Sequence, residues 1–291
     1  MIKDKSNNHE MYKDNNLDWA IKSLKYNAKL NKNNQFHLIT NYECLKDKFI
    51  NQSNILIHNY EDYIDDNMKE FNDLYIHLST NYYDFEKNSI LGYMMLNDFC
   101  KKNNIDKFFH IETDILLFTN CLDDDFKFFT DQNYCLTLMR KMGAGASFFD
   151  LRKHNMLQKF SEYIISTYSS DINKKPKCFD MGKTKIYYQE SLDKKLMRGG
   201  VSDMHFWNYI YETNKDIVFG NMETPINNII YHQNLNIPSD KILQKEKEIL
   251  KLKIEKNKCY GFAIYDNQPI EIKMLHFHGH WKQKIKDYIN E

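Results

Sequence analysis

Apolar residues recur along this chain at two periods, and the switches between them mark out the elements. Residues 1–16 show little of either: the stretch is polar, rich in Asn and Lys, and reads as a frayed or mobile arm. From Leu17 the spacing of Leu17, Ala20, Ile21, Leu24 and Ala28 predicts a first amphipathic helix. Residues 36–41 predict a short buried strand that stops on polar residues, and 55–57 a second. Ile90, Tyr93, Met94, Leu96, Asn97 and Phe99 fall on a helix that ends near the charged run 101–104. Residues 107–118, Lys-Phe-Phe-His-Ile-Glu-Thr-Asp-Ile-Leu-Leu-Phe, then give an apolar strand interrupted by two carboxylates.

Further strands are expected at 134–138 and 146–149, joined through Gly143 and Gly145, with a helix at 156–168. This alternation points to an α/β fold with parallel pairing. In the last third, Ser239 reads as the cap of a polar helix running from Asp240 to about Lys256. Residues 261–265 and 270–275 flank Asp266-Asn267, a hairpin pattern. There is no internal repeat, and 172–176 reads as a loop, not a domain boundary.

Length and charge narrow the picture. A chain of 291 residues buries roughly three quarters of the surface its unfolded form exposes, enough for one large domain or two closely packed lobes. Forty Lys+Arg balance forty Asp+Glu, and zero formal charge excludes a nucleic-acid binder, which needs a cationic excess for phosphate contacts. Asn, Lys, Ile and Tyr are abundant throughout, as an AT-rich coding sequence would make them, so single Asn or Lys residues carry little weight. Cys44, Cys100, Cys121, Cys135, Cys178 and Cys259 are scattered without a Cys-x-x-Cys pair, which excludes the common thiolate zinc and redox motifs. A reduced, cytoplasmic compartment is the simpler expectation. The start is too polar for a secretory signal, and no stretch approaches the ~18 apolar residues of a membrane span. A soluble protein is expected.

Three constellations carry candidate chemistry. Glu112-Thr113-Asp114 sits inside an apolar strand, where alternate residues project to one side and both carboxylates can face one ligand. Burying two negative charges there is costly without a compensating cation, and hard oxygen donors suit Mn²⁺ or Mg²⁺. The bland alternative is a strand ending at Thr113 with two solvated acids. In the second, His276-Phe277-His278-Gly279-His280-Trp281-Lys282, one histidine supplies a nitrogen to a metal. Gly279 lets a phosphate approach the backbone, and Lys282 neutralises its charge. Three histidines on one strand face also admit a zinc site, and ordinary surface histidines at a strand end remain open. The third runs Arg198-Gly199-Gly200-Val201-Ser202-Asp203. Its glycines let the backbone pass against a sugar while Asp203 bonds hydroxyls or takes a proton. Helix capping by Ser202 or Asp203 is the plain alternative.

In chain order these segments resemble the GT-A-type nucleotide-sugar glycosyltransferases, nearest to glycogenin-like and bacterial polysaccharide types that close with His-Phe-x-Gly-x-x-Lys. That signature stands here as His276 to Lys282, about 160 residues after an Asp-x-Asp-like pair. The resemblance implies one GT-A (Rossmann-like) domain over 17–291 with a mixed, mostly parallel central sheet flanked by helices. It implies Asp114 and His276 as metal ligands, with Glu112 standing where the family has aspartate, and Lys282 on the donor's diphosphate. Thr40, Asn41 and Tyr42 would hold the nucleoside, Tyr42 stacking on the base. His278 and His280 receive no role, and Gln283 stands where a proline is usual.

The activity implied is hexosyl transfer from a nucleoside diphosphate sugar, a UDP-sugar ahead of a GDP-sugar, to a glycan or other hydroxyl acceptor, with Mn²⁺ or Mg²⁺ as cofactor. Three alternatives stay open. A nucleotidyltransferase would carry a Gly- and Lys-rich loop after strand one, which 40–43 lacks. A binding protein of the same fold without turnover is hinted at by the Glu for Asp exchange at 112. A zinc hydrolase would be built on His276, His278 and His280.

Overall fold

The computed structural model describes residues 17–41, 45–77, 79, 82–118, 123–139, 143–169, 201–236 and 242–289, with backbone alone at 123–126. The N-terminal arm expected at 1–16 therefore lies outside the described residues, as do Tyr42, Gly199 and Gly200. Helix α1 (Asp18–Leu30) and strand β1 (Phe36–Thr40) fall where the periodicity put them. The short α2 (Leu45–Lys48), β2 (Ile55–Asn59), α3 (Asp66–Leu74) and the long α4 (Tyr83–Lys102) follow. Next come β3 (Lys107–Ile111), β4 (Ile115–Leu117) and α5 (Asp123–Asp131). Strand β5 (Leu136–Leu138), β6 (Ala146–Asp150) and α6 (Met156–Ser169) lead to 170–200. The chain resumes with α7 (Asp203–Thr213), β7 (Phe219–Asn221) and β8 (Ile229–Asn234). It ends with β9 (Lys245–Glu246), β10 (Ile249–Leu250), β11 (Leu252–Glu255), β12 (Lys258–Phe262), β13 (Pro269–His276) and a 3₁₀ run, Gly279–Asp287.

The mixed α/β class holds, but the mostly parallel central sheet does not. Parallel ladders join β1 to β2, β5 to β7 and β8 to β13, while β3–β6, β5–β6, β9–β10, β11–β12, β12–β13 and β13–β4 are antiparallel. The reason is connection length. β11, β12 and β13 follow one another through tight turns, which permit only antiparallel neighbours. Left-handed Lys256 (φ 49) and Asn257 (φ 63) close the first turn, and Asn267 (φ 58) lies in the hairpin anticipated at 266–267.

Two further expectations change. The helix predicted from 240 to 256 is instead the strand set β9, β10 and β11, Ser239 and Asp240 lying outside the described residues. Its Lys and Glu favour helix locally, but Leu250, Leu252 and Ile254 alternate with Lys251, Lys253 and Glu255 at period two. Pairing of β11 with β12 decides the outcome. The apolar run 107–118 is likewise two strands in different sheets: β3 pairs with β6, and β4 with β13. Glu112-Thr113-Asp114 forms the link between them, closed by Ile115 N–H donating to Glu112 O at 3.2 Å.

α4, α6 and α7 bury an aromatic core beside the β3–β6–β5–β7 sheet, with Phe160 stacked on Trp207 at 4.5 Å between ring centres. A second core packs Tyr26, Phe118, Leu275, Phe277 and Ile285, tying α1 and the 3₁₀ run to β13. Helix α1 also grips β4 through polar groups. Asn27 Nδ2 and Ser23 Oγ both donate to Ile115 O at 2.9 Å, and Leu117 N–H donates to Asn27 Oδ1 at 2.8 Å. One buried amide side chain thus bonds β4 as a neighbouring strand would.

Replacing Asn27 by Ala strands a buried peptide N–H, so a loss of about 2 kcal/mol in unfolding free energy is expected. Ser23→Ala should cost less, because Ile115 O keeps its bond from Asn27. Urea titration of both variants checks this, and equal losses would contradict the assigned roles.

Candidate metal centre

The β4–β13 ladder brings the two distant motifs together. His276 pairs with Ile115, Leu275 with Leu116 and Met274 with Leu117. Beyond the ladder, Phe277 N–H donates to Asp114 O at 2.9 Å, so the carboxylate and the imidazole leave adjacent ends of paired strands. His276 Nε2 stands 3.3 Å from Asp114 Oδ2 and 3.6 Å from Glu112 Oε2. One donor atom from each of Glu112, Asp114 and His276 lies within 4.8 Å of the others, the convergence a single cation requires. These acids are not alternate residues of one strand, as first read. They converge because the link between β3 and β4 turns back on itself.

Burial makes the cluster electrostatically demanding. Asp114 and His276 are 2% and 4% exposed, while the Glu112 side chain is about half-exposed. Burial alone would push the Asp114 carboxyl up, but His276 and then Lys282 outweigh it and hold the group well below the ordinary carboxylate range. For His276, burial disfavours the charged imidazole, yet Asp114 and then Glu112 overrule it and raise its pKa. Lys282 Nζ reaches Asp114 Oδ2 at 2.9 Å and lies 5.1 Å from the Trp19 ring centre. Two carboxylates thus face two cationic side chains.

Gly279 sits at φ +64, a conformation that favours glycine, and a Cβ there would meet nothing within 4 Å. Backbone beside the cluster is therefore open to a ligand. Gly145 has the opposite surroundings. Its carbonyl accepts from Glu112 N–H at 2.8 Å, and a Cβ on it would stand 2.8 Å from Glu112 Oε1. Glycine at 145 leaves room for this placement of the flexible Glu112 side chain, a contact that the sequence reading, which saw Gly145 as a joint, missed.

Asp203 is the first residue of α7, and Ser202 holds the cap position, its N–H donating to His205 Nδ1 at 3.2 Å. Burial, then the negative charges of Glu112 and Glu86, push the Asp203 carboxyl up to about 7. The α7 N-terminus therefore lies within the field of Glu112. Thr40 is buried at the end of β1, opposite Asn59 of β2, and Asn41 is exposed just beyond it.

The three histidines at 276, 278 and 280 do not converge. His276 is buried at the end of β13, whereas His278 and His280 are exposed in the segment that follows. Two polar residues that the sequence reading passed over stand behind His276. Its Nδ1 lies 3.3 Å from His232 Nε2, and His232 Nδ1 lies 3.3 Å from Glu223 Oε1. The one sequence clue was a histidine within the apolar run of β8.

No protein-family model matches this chain, and no curated protein matches it significantly. Among solved structures it is similar to mouse xyloside xylosyltransferase 1 in its apo form, with a TM-score of 0.45 and 12% identity over 75% of this chain and 81% of that one.

Proposed function

We propose that the chain is a metal-dependent glycosyltransferase of GT-A type, moving a sugar from a nucleoside diphosphate sugar to a glycan or other hydroxyl acceptor. A UDP-sugar ranks ahead of a GDP-sugar as donor. The observation that carries the reading is the convergence of Glu112, Asp114 and His276 beside an open Gly279 and the ammonium of Lys282.

Two carboxylates and one imidazole, with no thiolate, suit Mn²⁺ or Mg²⁺. A divalent ion held by Glu112, Asp114 and His276 would supply Lewis-acid stabilisation of the departing diphosphate. The chain's own residues do the rest. Lys282 places a second positive charge on the same phosphate oxygens, and Gly279 lets a phosphate come against the backbone. Asp203 titrates near neutrality, where a group can both hold and release a proton, and it is assigned to the acceptor hydroxyl. Thr40 and Asn41, at the carboxyl end of β1, are assigned with Tyr42 to the nucleoside, and Gly199 and Gly200 to the sugar.

Incubation with UDP-sugars and Mn²⁺ should give donor hydrolysis or transfer that stops on chelation. Asp114→Ala and His276→Ala should each lower turnover about a hundredfold or more. Full turnover in both would remove the site from consideration. Lys282→Met should weaken nucleoside diphosphate binding about tenfold, read by calorimetry.

Asp203 adds a pH dependence. Its folded-state value, about 7, lies above the ordinary carboxyl value of 3.8, so the folded form binds this proton more tightly. That contribution is complete at low pH and is lost as pH rises through the folded value. Asp203→Asn cannot ionise, and its melting temperature relative to the parent should rise between about pH 5 and about pH 8. A pH-independent difference would contradict the assigned environment.

A further inference from the structure

Glu223, His232 and His276 are 1%, 0% and 4% exposed and come from three separate segments. Glu223 follows β7, where its N–H donates to Asn221 Oδ1 at 2.9 Å. His232 lies within β8, its N–H donating to Met222 O at 2.9 Å, and pairs in register with Met274 of β13. His276 ends β13. Met222, Tyr231 and Met274, of one buried apolar cluster, neighbour them in sequence or across the ladder. A carboxyl group and two imidazoles at this depth are costly without polar partners, and each stands 3.3 Å from the next.

The order of the atoms bears on where their protons sit. His232 Nδ1 faces Glu223 Oε1 at 3.3 Å, so a proton on that nitrogen is directed at the carboxyl group. Neutral His232 then offers a lone pair on Nε2. When His276 is neutral, as a metal-bound imidazole must be, donation from its Nδ1, 3.3 Å away, leaves its lone pair on Nε2. That nitrogen is the one facing Asp114 and Glu112. In that form the line of contacts ends with Nε2 converging on the Glu112 and Asp114 carboxyl groups, a donor set that suits a divalent ion.

We propose that Glu223 and His232 are positioning residues of the metal centre, a buried relay that fixes the tautomer and ring orientation of His276 so that Nε2 is presented to a divalent ion. The proposal rests on the reading of Glu112, Asp114 and His276 as the metal site. Partners of this kind behind a metal-bound histidine alter metal affinity by about 10–100-fold when removed. Neither residue touches the substrate in this scheme. Their effect passes through His276.

The test is Mn²⁺ affinity of the full chain, measured by electron paramagnetic resonance of the free ion without any sugar donor. Glu223→Gln keeps the shape but removes the charge that orders the relay, and His232→Phe removes the acceptor. Each should raise the Mn²⁺ dissociation constant about tenfold or more, with Glu223→Gln melting close to the parent in the absence of metal. Long-range ¹⁵N–¹H imidazole spectra of the Mg²⁺-loaded protein should show Nδ1–H on both histidines of the parent and mixed tautomers in Glu223→Gln. Should His232→Phe fail to fold, Glu223→Gln and the spectra decide. Parent-like affinity and tautomers in Glu223→Gln overturn the relay while leaving the metal site standing. A parent that binds no Mn²⁺ overturns both.

Discussion

The short antiparallel ladder between β4 and β13 is the constraint on which the site depends. It pairs only Ile115, Leu116 and Leu117 with His276, Leu275 and Met274, yet with the Phe277 N–H bond to Asp114 O it sets Asp114 beside His276 across the intervening chain. Register matters as much as pairing. A slip of one residue would turn His276 to the opposite face of the sheet and replace it with Leu275 or Phe277. Both neighbours are fully buried in the core shared with Tyr26 and Phe118, so the apolar residues that flank His276 lock the register that the polar site needs. Asn27 on the far edge of β4 reinforces it, because its amide recognises Ile115 and Leu117 and no other pair on that strand.

Given that register, charge balance explains the rest of the cluster. Asp114 cannot stay ionised in a nearly dry position without neighbours of opposite sign, and His276 and Lys282 supply them. The same two groups compete with a divalent cation for the carboxylates. A nitrogen that binds metal must first lose its proton, so ion uptake at His276 is coupled to proton release. Lys282, near the start of the 3₁₀ run, is close enough to Asp114 to balance its charge, and an ion that took over that balance would leave the ammonium available to an anion.

Much of this was legible in the sequence because the motifs are dense: three histidines, a glycine and a lysine within seven residues, and two acids interrupting an apolar run. Helix α1, strands β1 and β2 and helices α4 and α6 were legible from period alone. What escaped was set by partners distant in sequence. The segment 245–255 contains good helix formers and becomes strands because β12 offers an edge. Abundance also misled. Asn was discounted as compositional, yet Asn27 bonds the β4 backbone, and Asn54 Nδ2 donates to Ala28 O, Asn31 O and Asn34 O to fasten the end of α1. Of the non-glycine residues with positive φ among those described, Asn104, Asn133, Asn227, Asn228, Asn257 and Asn267 outnumber Lys247 and Lys256. Asparagine tolerates that conformation better than other side chains. Glu223 and His232 carry no motif, and only the fold shows that they stand behind His276.

The glutamate at 112 was the one hint of a degenerate site, and its surroundings argue the other way. An aspartate there would have a carboxylate one methylene shorter, starting from a backbone already fixed by the Glu112 N–H bond to Gly145 O. The longer side chain crosses Gly145 closely and brings Oε2 to 3.6 Å from His276 Nε2. The half-exposed Glu112 also keeps one face toward solvent, while Asp114 and His276 form the buried floor. The exchange of aspartate for glutamate thus leaves both carboxylates within 3.6 Å of His276 Nε2, a changed geometry of the acidic pair in which neither member is withdrawn.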